Sequence, residues 1–283
     1  MLEKMEKYST SCKEKLCSLY LKAIIDVNRR KSAAMKIIIS PAKKMNEKTD
    51  ILPYRSMPVF LEDTKKLMKW IQALTLSEAQ RLWGCNEKLA KLNFDRFKDM
   101  KLNRHLTPAL LSYEGIQYQY MAPEVFTDRN WQYVQSNLRI LSGFYGVLNP
   151  LDGAVPYRLE MQAEVKVNGT KDLYDFWKER IYQAVVADES VPTIINLASK
   201  EYSRCIEKYL RPKDIYITCV FGERRGDKVI QKGTLAKMAR GEMVRFMAEN
   251  YIREPEGLKD FDRLKYHFDK ELSSDKEYVF LKG

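Results

Sequence analysis

The side chains with most to offer chemically fall in four short stretches. Tyr157, Arg158 and Glu160 close the run RILSGFYGVLNPLDGAVPYRLEM, from Arg139 to Met161, in which Gly143 and Gly146 stand three apart and Pro150, Gly153 and Pro156 follow. Glycine permits left-handed backbone or close approach, and proline fixes the path of the chain around it. The run therefore reads as a rigid loop that presents Tyr157, Arg158 and backbone N–H groups to an anion. A buried chain crossing, with Arg158 and Glu160 paired to each other, is the plainer reading of the same residues. If a neighbouring arginine and partial burial set its pKa, Glu160 could also act as a general base.

Ser40, Lys43 and Lys44 follow KIII at 36 to 39, Asn196 stands at the end of the strand pattern at 193 to 197, and Ser199 follows it. A strand ending in Ser and then a helix suits an anion, because unpaired N–H groups sit at the helix N-terminus. Ser199 carries no nucleophile signature: the G-x-S-x-G elbow is absent and no histidine is near it in sequence. The fourth stretch is GTLAKMARGEMVRFMAENYI from Gly233 to Ile252. Wound as a helix, it puts Leu235, Met238, Ala239, Met243, Phe246 and Met247 on one side and Lys237, Arg240 and Arg245 on the other. Gly241 falls amid these cations, where it would admit another backbone or a phosphate.

The elements that must position these residues can be sketched from periodicity. KIII is an unbroken apolar run after its lysine, which suits a central strand, and its following loop leaves from the middle of the fold, where sites commonly form. Helices are expected over 60–75, from a capping box Thr75/Glu78 onward, from Asn86 with Leu89, Leu92, Phe94 and Phe97 as its stripe, and over 128–137. Ala109 to Tyr113 reads as a strand, Val165 to Gly169 as a hairpin, and DLYDFWKERIYQAVV from Asp172 as one helix. Ile215–Phe221 and Lys228–Ile230 pair across a charged turn, and Tyr266 to Leu281 reads as a hairpin. Trp70 and Trp83 fit as helix-packing aromatics, and Tyr113, Tyr118 and Tyr120 as core rather than base-stacking residues. Short strands alternating with helices indicate a mixed α/β (α+β) fold of one domain, with central short strands flanked by helices.

The composition of the 283 residues, 45% hydrophobic and 31% charged, is that of a globular protein rather than a disordered one. A formal charge of +11 favours phosphates and other polyanions. Five scattered cysteines without a C-x-x-C pair suggest reduced thiols in a cytoplasm, not a disulfide framework or a zinc ribbon. Two histidines far apart leave no His-based metal site or triad, so no metal and no cofactor is expected. No run of 18 apolar residues occurs, so no membrane span or membrane partner is expected. Residues 1–34 read as an amphipathic extension, with Leu16, Leu19, Tyr20, Ala23, Ile24 and Val27 at helical spacing, ahead of a native-looking start at Met35.

Five blocks, MKIIISPAKK at 35–44, LRILSGFYGVLNPLDGAVPYRLEM at 138–161, KDLYDFW at 171–177, INLASKEY at 195–202 and AKMARGEMVRF at 236–246, resemble in residues and order the YaaA (UPF0246-type) family of bacterial peroxide-stress proteins. The resemblance covers 35–283 and leaves 1–34 outside. It implies a single-domain fold peculiar to the family with a helix-hairpin-helix element, a positively charged cleft, DNA binding and protection from hydrogen peroxide. By motif, the cations would be Lys43, Arg158, Lys237, Arg240 and Arg245, and the Ser-Gly-Phe-Tyr-Gly segment at 142–146, with Gly143 and Gly146, the helix-hairpin-helix turn. Two functions follow as expectations. One is a monomeric DNA-binding stress protein without catalysis, gripping the backbone through Ser40, Lys43, Lys44, Tyr157, Arg158, Lys237, Arg240 and Arg245. The other is an enzyme acting on a nucleotide or other phosphorylated small molecule in the same cleft, with Glu160 and Ser199 as its catalytic candidates.

Overall fold

The computed structural model describes residues 35–47, 51–187, 189–226 and 228–283. The amphipathic extension expected over 1–34 lies outside them. In chain order the principal elements are β1 (Lys36–Ile39), α1 (Leu61–Gln72), α2 (Leu76–Trp83), α3 (Glu87–Lys98), α4 (Ile116–Met121), α5 (Asp128–Asn137), β2 (Leu138–Ser142) and β3 (Gly146–Leu148). There follow α6 (Leu173–Trp177), α7 (Arg180–Val185), β4 (Thr193–Leu197), α8 (Lys200–Glu207), β5 (Ile215–Arg225), β6 (Lys228–Ile230), α9 (Gly233–Glu249), β7 (Tyr266–Phe268) and β8 (Glu277–Lys282).

One mixed sheet organises the chain, in the order β7-β8-β5-β4-β1-β2-β3, with β6 pairing β5. Its five central strands, β8, β5, β4, β1 and β2, are parallel, and β7 and β3 run antiparallel at the two ends of the row. Ile37, Ile38 and Ile39 have no exposed surface, and all of β4 is buried. Burying each such aliphatic side chain contributes about 1.5–3 kcal/mol, which is why Ile37–Ile39 and the Ile194–Ile195 stretch of β4 occupy the middle of the sheet. The helix α9 packs against β5, α4 and α5.

Local chemistry sets the helix ends. Thr75 and Glu78 form the expected reciprocal capping box, and Thr127 does the same with Asn130, starting α5. Elsewhere the chain departs from the periodicity. Ala109–Ser112 is a helical turn buried on every side, and only Tyr113–Glu114 is extended, pairing with Lys44–Met45. Without exposed alternate positions, nothing there enforces strand period. In α3 the stripe turns to Ala90, Asn93 and Phe97, and Leu89 and Leu92 are exposed. Val167–Gly169 is a tight 3-10 turn rather than a hairpin, curled by Asn168 and Gly169 at φ 52° and 80°.

The helix expected from Asp172 is two helices, broken at Lys178 with φ 49°. Tertiary anchors on both sides of the break account for it. Trp177 Nε1 donates to the Gly143 carbonyl at 2.9 Å, and Arg180 Nη1 pairs with Asp63 at 2.6 Å. The segment 142–146 is likewise not a helix-hairpin-helix turn. Gly143 and Gly146 sit in a β-hairpin whose strands pair Ile140 with Leu148 and Ser142 with Gly146. The apolar residues flanking the turn are buried in sheet, leaving no helix on either side of it.

Candidate functional site

The chain runs from β1 to β2 on one side of the sheet, and then returns to lay β4 on the other side of β1. Loops leaving the carboxyl ends of two such neighbours diverge and open a crevice between them. Ser40 follows β1 and Ser199 precedes α8, and the two loops are joined there. Ser199 N–H donates to Ser40 Oγ at 2.8 Å, and Ser40 Oγ–H donates to Ser199 Oγ at 3.1 Å. The Tyr118 hydroxyl donates to the Ser40 carbonyl at 2.9 Å. Asn196 has its partners too, accepting from Ala198 N–H and donating to Thr218 Oγ1.

Into this crevice the fold brings Ser40, Lys43, Lys44, Tyr157, Arg158, Glu160, Ser199, Lys237 and Arg240, around a cleft of about 430 Å³. Arg245 is not among them: its Nε donates to Glu249 Oε1 at 2.8 Å, one turn along α9. Two close approaches hold the walls together. A Cβ on Gly241 would lie 2.1 Å from the Gln117 carbonyl oxygen, so it is backbone, that of α4, which approaches this glycine. A Cβ on Gly143 would lie 2.6 Å from the Leu159 carbonyl oxygen, which ties the β2–β3 turn to the segment bearing Arg158 and Glu160.

The charges are unequally matched. Glu160 accepts from Arg158 Nη2 at 3.0 Å and lies 3.3 Å from Lys43 Nζ, while Lys44 pairs with Glu114 at 2.7 Å. The Tyr157 hydroxyl is shared with Ser142 and Tyr113, at 2.6 and 2.8 Å, and burial pushes its pKa up to about 12. Tyr157 is therefore a neutral wall of the cleft. Arg240 differs: no carboxylate pairs with it and no acceptor satisfies its Nε among the described residues. Burial lowers its pKa, and Cys219, which it feels most, is a buried thiol pushed up to about 12 and so uncharged. Arg158 Nε and Gln117 Nε2 are also buried donors without an acceptor among the described residues.

Unpaired buried donors are rare in folded proteins and cost about 1–3 kcal/mol each. Three of them, two from guanidinium groups, belong to residues lining this one cleft. Sequence reasoning missed Gln117, Glu114 and Glu201 in this lining. Gly241 was the available signal that α4 and α9 touch, and Gly115 marks a different approach, its Cβ position lying 3.0 Å from Ala42 in the loop after β1. Among the described residues, His, Cys, Asp and Glu nowhere gather in threes as metal ligands would.

Residues 35–272 match the family described as peroxide stress protein YaaA. The chain belongs to that family. It is 55% identical over 246 residues to a UPF0246 protein of Agathobacter rectalis, spanning 87% of this chain and 98% of that one. It is 53% identical over 249 residues to a UPF0246 protein of Lachnoclostridium phytofermentans, spanning 88% and 97%, and 47% identical over 249 residues to one of Ligilactobacillus salivarius, spanning 88% and 100%. The cleft thus belongs to a YaaA-family peroxide stress protein, built from Ser40 at one end of the matched region and Lys237 and Arg240 near the other. Among the described residues no helix is long and apolar enough to cross a membrane.

Proposed function

We propose that the cleft seats phosphate groups of a DNA backbone, and that the protein acts in peroxide stress as a monomeric, cytoplasmic DNA-binding protein without catalysis of its own. The observation that carries this reading is Arg240, a guanidinium whose Nε is buried without an acceptor, beside the exposed Lys237 in a cleft that also holds Arg158. A phosphodiester would supply the acceptors, since charge-assisted bonds to phosphate are the strong ones. Backbone contacts of this kind carry little sequence information, so binding is non-specific or follows DNA structure. Free thiols at Cys85, Cys205 and Cys219 suit a reducing compartment.

The test is fluorescence anisotropy with a short labelled duplex at low salt. Arg240→Met is expected to weaken binding by about tenfold or more, with far-UV circular dichroism unchanged. Equal affinity of the variant and the parent would overturn the reading.

One observation favours a second function, an enzyme for a nucleotide or other phosphorylated small molecule. A cleft of about 430 Å³ at a switch point of the sheet falls within the usual range for small-ligand sites, about 300–1,000 Å³. Glu160 would be its base, whereas Ser199 is bonded to Ser40 Oγ with no histidine lining the cleft. Glu160→Gln separates the two functions. In the enzyme it abolishes turnover and spares DNA binding. In the backbone binder it frees Arg158 and Lys43 for phosphate and tightens binding several-fold.

A further inference from the structure

The Lys43–Glu160 ion pair lines the phosphate cleft on one side and a second groove of about 750 Å³ on the other. That groove contains Trp70 and Trp83, which sequence reasoning treats as helix packing. Trp83 is 3% exposed and stacks on Phe97, with centroids 5.8 Å apart and planes at 21°, so its ring is fixed. Its Nε1–H nevertheless has no acceptor among the described residues, although a buried indole N–H usually finds one. Trp70 is half-buried on α1. An aromatic surface and an unpaired donor therefore adjoin an anion cleft across one shared ion pair.

We infer that this groove receives the base of a nucleotide whose phosphate occupies the cleft. The base stacks on Trp70 and offers a ring nitrogen or carbonyl oxygen as acceptor to Trp83 Nε1. The inference rests on the phosphate reading of the cleft and extends it, because a stacked base must have left its own helix. The ligand is an unpaired nucleotide, either part of a DNA strand or free. In DNA the protein would then select a duplex with an extrahelical base over a fully paired one, by about tenfold, given what base-aromatic stacking contributes.

Anisotropy with two labelled duplexes, alike except for a single-base bulge, tests it, with deoxyadenosine monophosphate as the competing free nucleotide. The parent protein should prefer the bulged duplex. Trp70→Ala should remove that preference and leave paired-duplex affinity unchanged, Trp70→Phe should keep most of it, and Trp83→Phe, which removes the N–H together with one ring of the indole, should reduce it. Photocrosslinking from 4-thiothymidine in the bulge supplies a reading on the unmutated protein: a crosslink to Trp70 or Trp83 supports the groove, and one confined to other segments overturns it. Equal affinity of the parent for both duplexes, with no nucleotide competition, overturns the inference and leaves backbone binding standing. Binding of neither duplex overturns the DNA reading instead. If deoxyadenosine monophosphate then still binds and is lost in Trp70→Ala, the groove is supported and its source is the free nucleotide.

Discussion

At the scale of single residues, Arg240 and Glu201 make opposite demands on the cleft. Arg240 holds an unmatched charge in a desolvated place, and a buried charge without a partner destabilises the folded state. Arg240→Met should therefore raise stability by about 1 kcal/mol, a gain of about 2–4 °C for a domain of this size, while DNA binding falls. Calorimetric unfolding of both proteins in the same buffer measures it, and a variant less stable than the parent would mean that Arg240 is structural. For Glu201, burial raises the pKa above its ordinary 4.5, and repulsion from Glu160 adds to this, against the Gln162 N–H bond and Lys43. The folded protein thus keeps this proton where the unfolded chain has lost it. The stabilisation is full below 4.5 and is lost as pH rises through the raised value. Protonation also removes a negative charge from the cleft, so phosphate affinity should rise as pH falls through this interval. Anisotropy titrations from neutral pH downwards should show the rise in the parent and a flatter profile in Glu201→Gln.

At the scale of elements, the cleft depends on α4 and α9 crossing at Gly241. A methyl group placed 2.1 Å from the Gln117 carbonyl oxygen must push the helices apart. Overpacking of this kind costs about 1–3 kcal/mol, against a gain of about 1 kcal/mol from replacing a mid-helix glycine. Gly241→Ala should lower the unfolding midpoint in urea and displace Gln117, whereas Gly233→Ala on the same helix meets no atom within 4 Å and should be neutral or slightly stabilising. Equal midpoints for the two variants would mean that the crossing is loose. The elements themselves were largely legible in sequence: β1 and β4 from their short, mostly apolar runs, α9 from its long apolar face, α2 from its capping box. What escaped was decided by tertiary contacts. The break at Lys178 has neither glycine nor proline to mark it and follows from Trp177 and Arg180 being tied to other elements. Buried Ala109–Ser112 could be turned into strand or helix without changing its pattern.

For the whole molecule, a net charge of +11 attracts polyanions, but the number of cations that reach phosphate is a question of pairing. Residues 40, 117, 158, 199 and 240 converge through a sheet order that no local pattern encodes, whereas the pairing of Arg245 is marked locally by Glu249 four residues on, and Lys237, which reaches the cleft, has Gly233 and Gly241 at the equivalent positions. The salt dependence of DNA binding counts the difference. Each neutralised phosphate contributes about −0.9 to the slope of log affinity against log salt on duplex DNA. If Lys237 and Arg240 alone meet phosphates, the cleft's share of the slope is about −2; if Lys43 and Lys44 also exchange their carboxylates for phosphate, it is about −4. Lys237→Ala should reduce the magnitude by about 1 and weaken all sequences alike, and Arg245→Ala should leave it unchanged, because Arg245 lies outside the cleft. A flat salt response in the parent would remove the polyanion as the partner of this cleft. An equal loss of slope in Arg245→Ala would instead put the DNA along the outer face of α9.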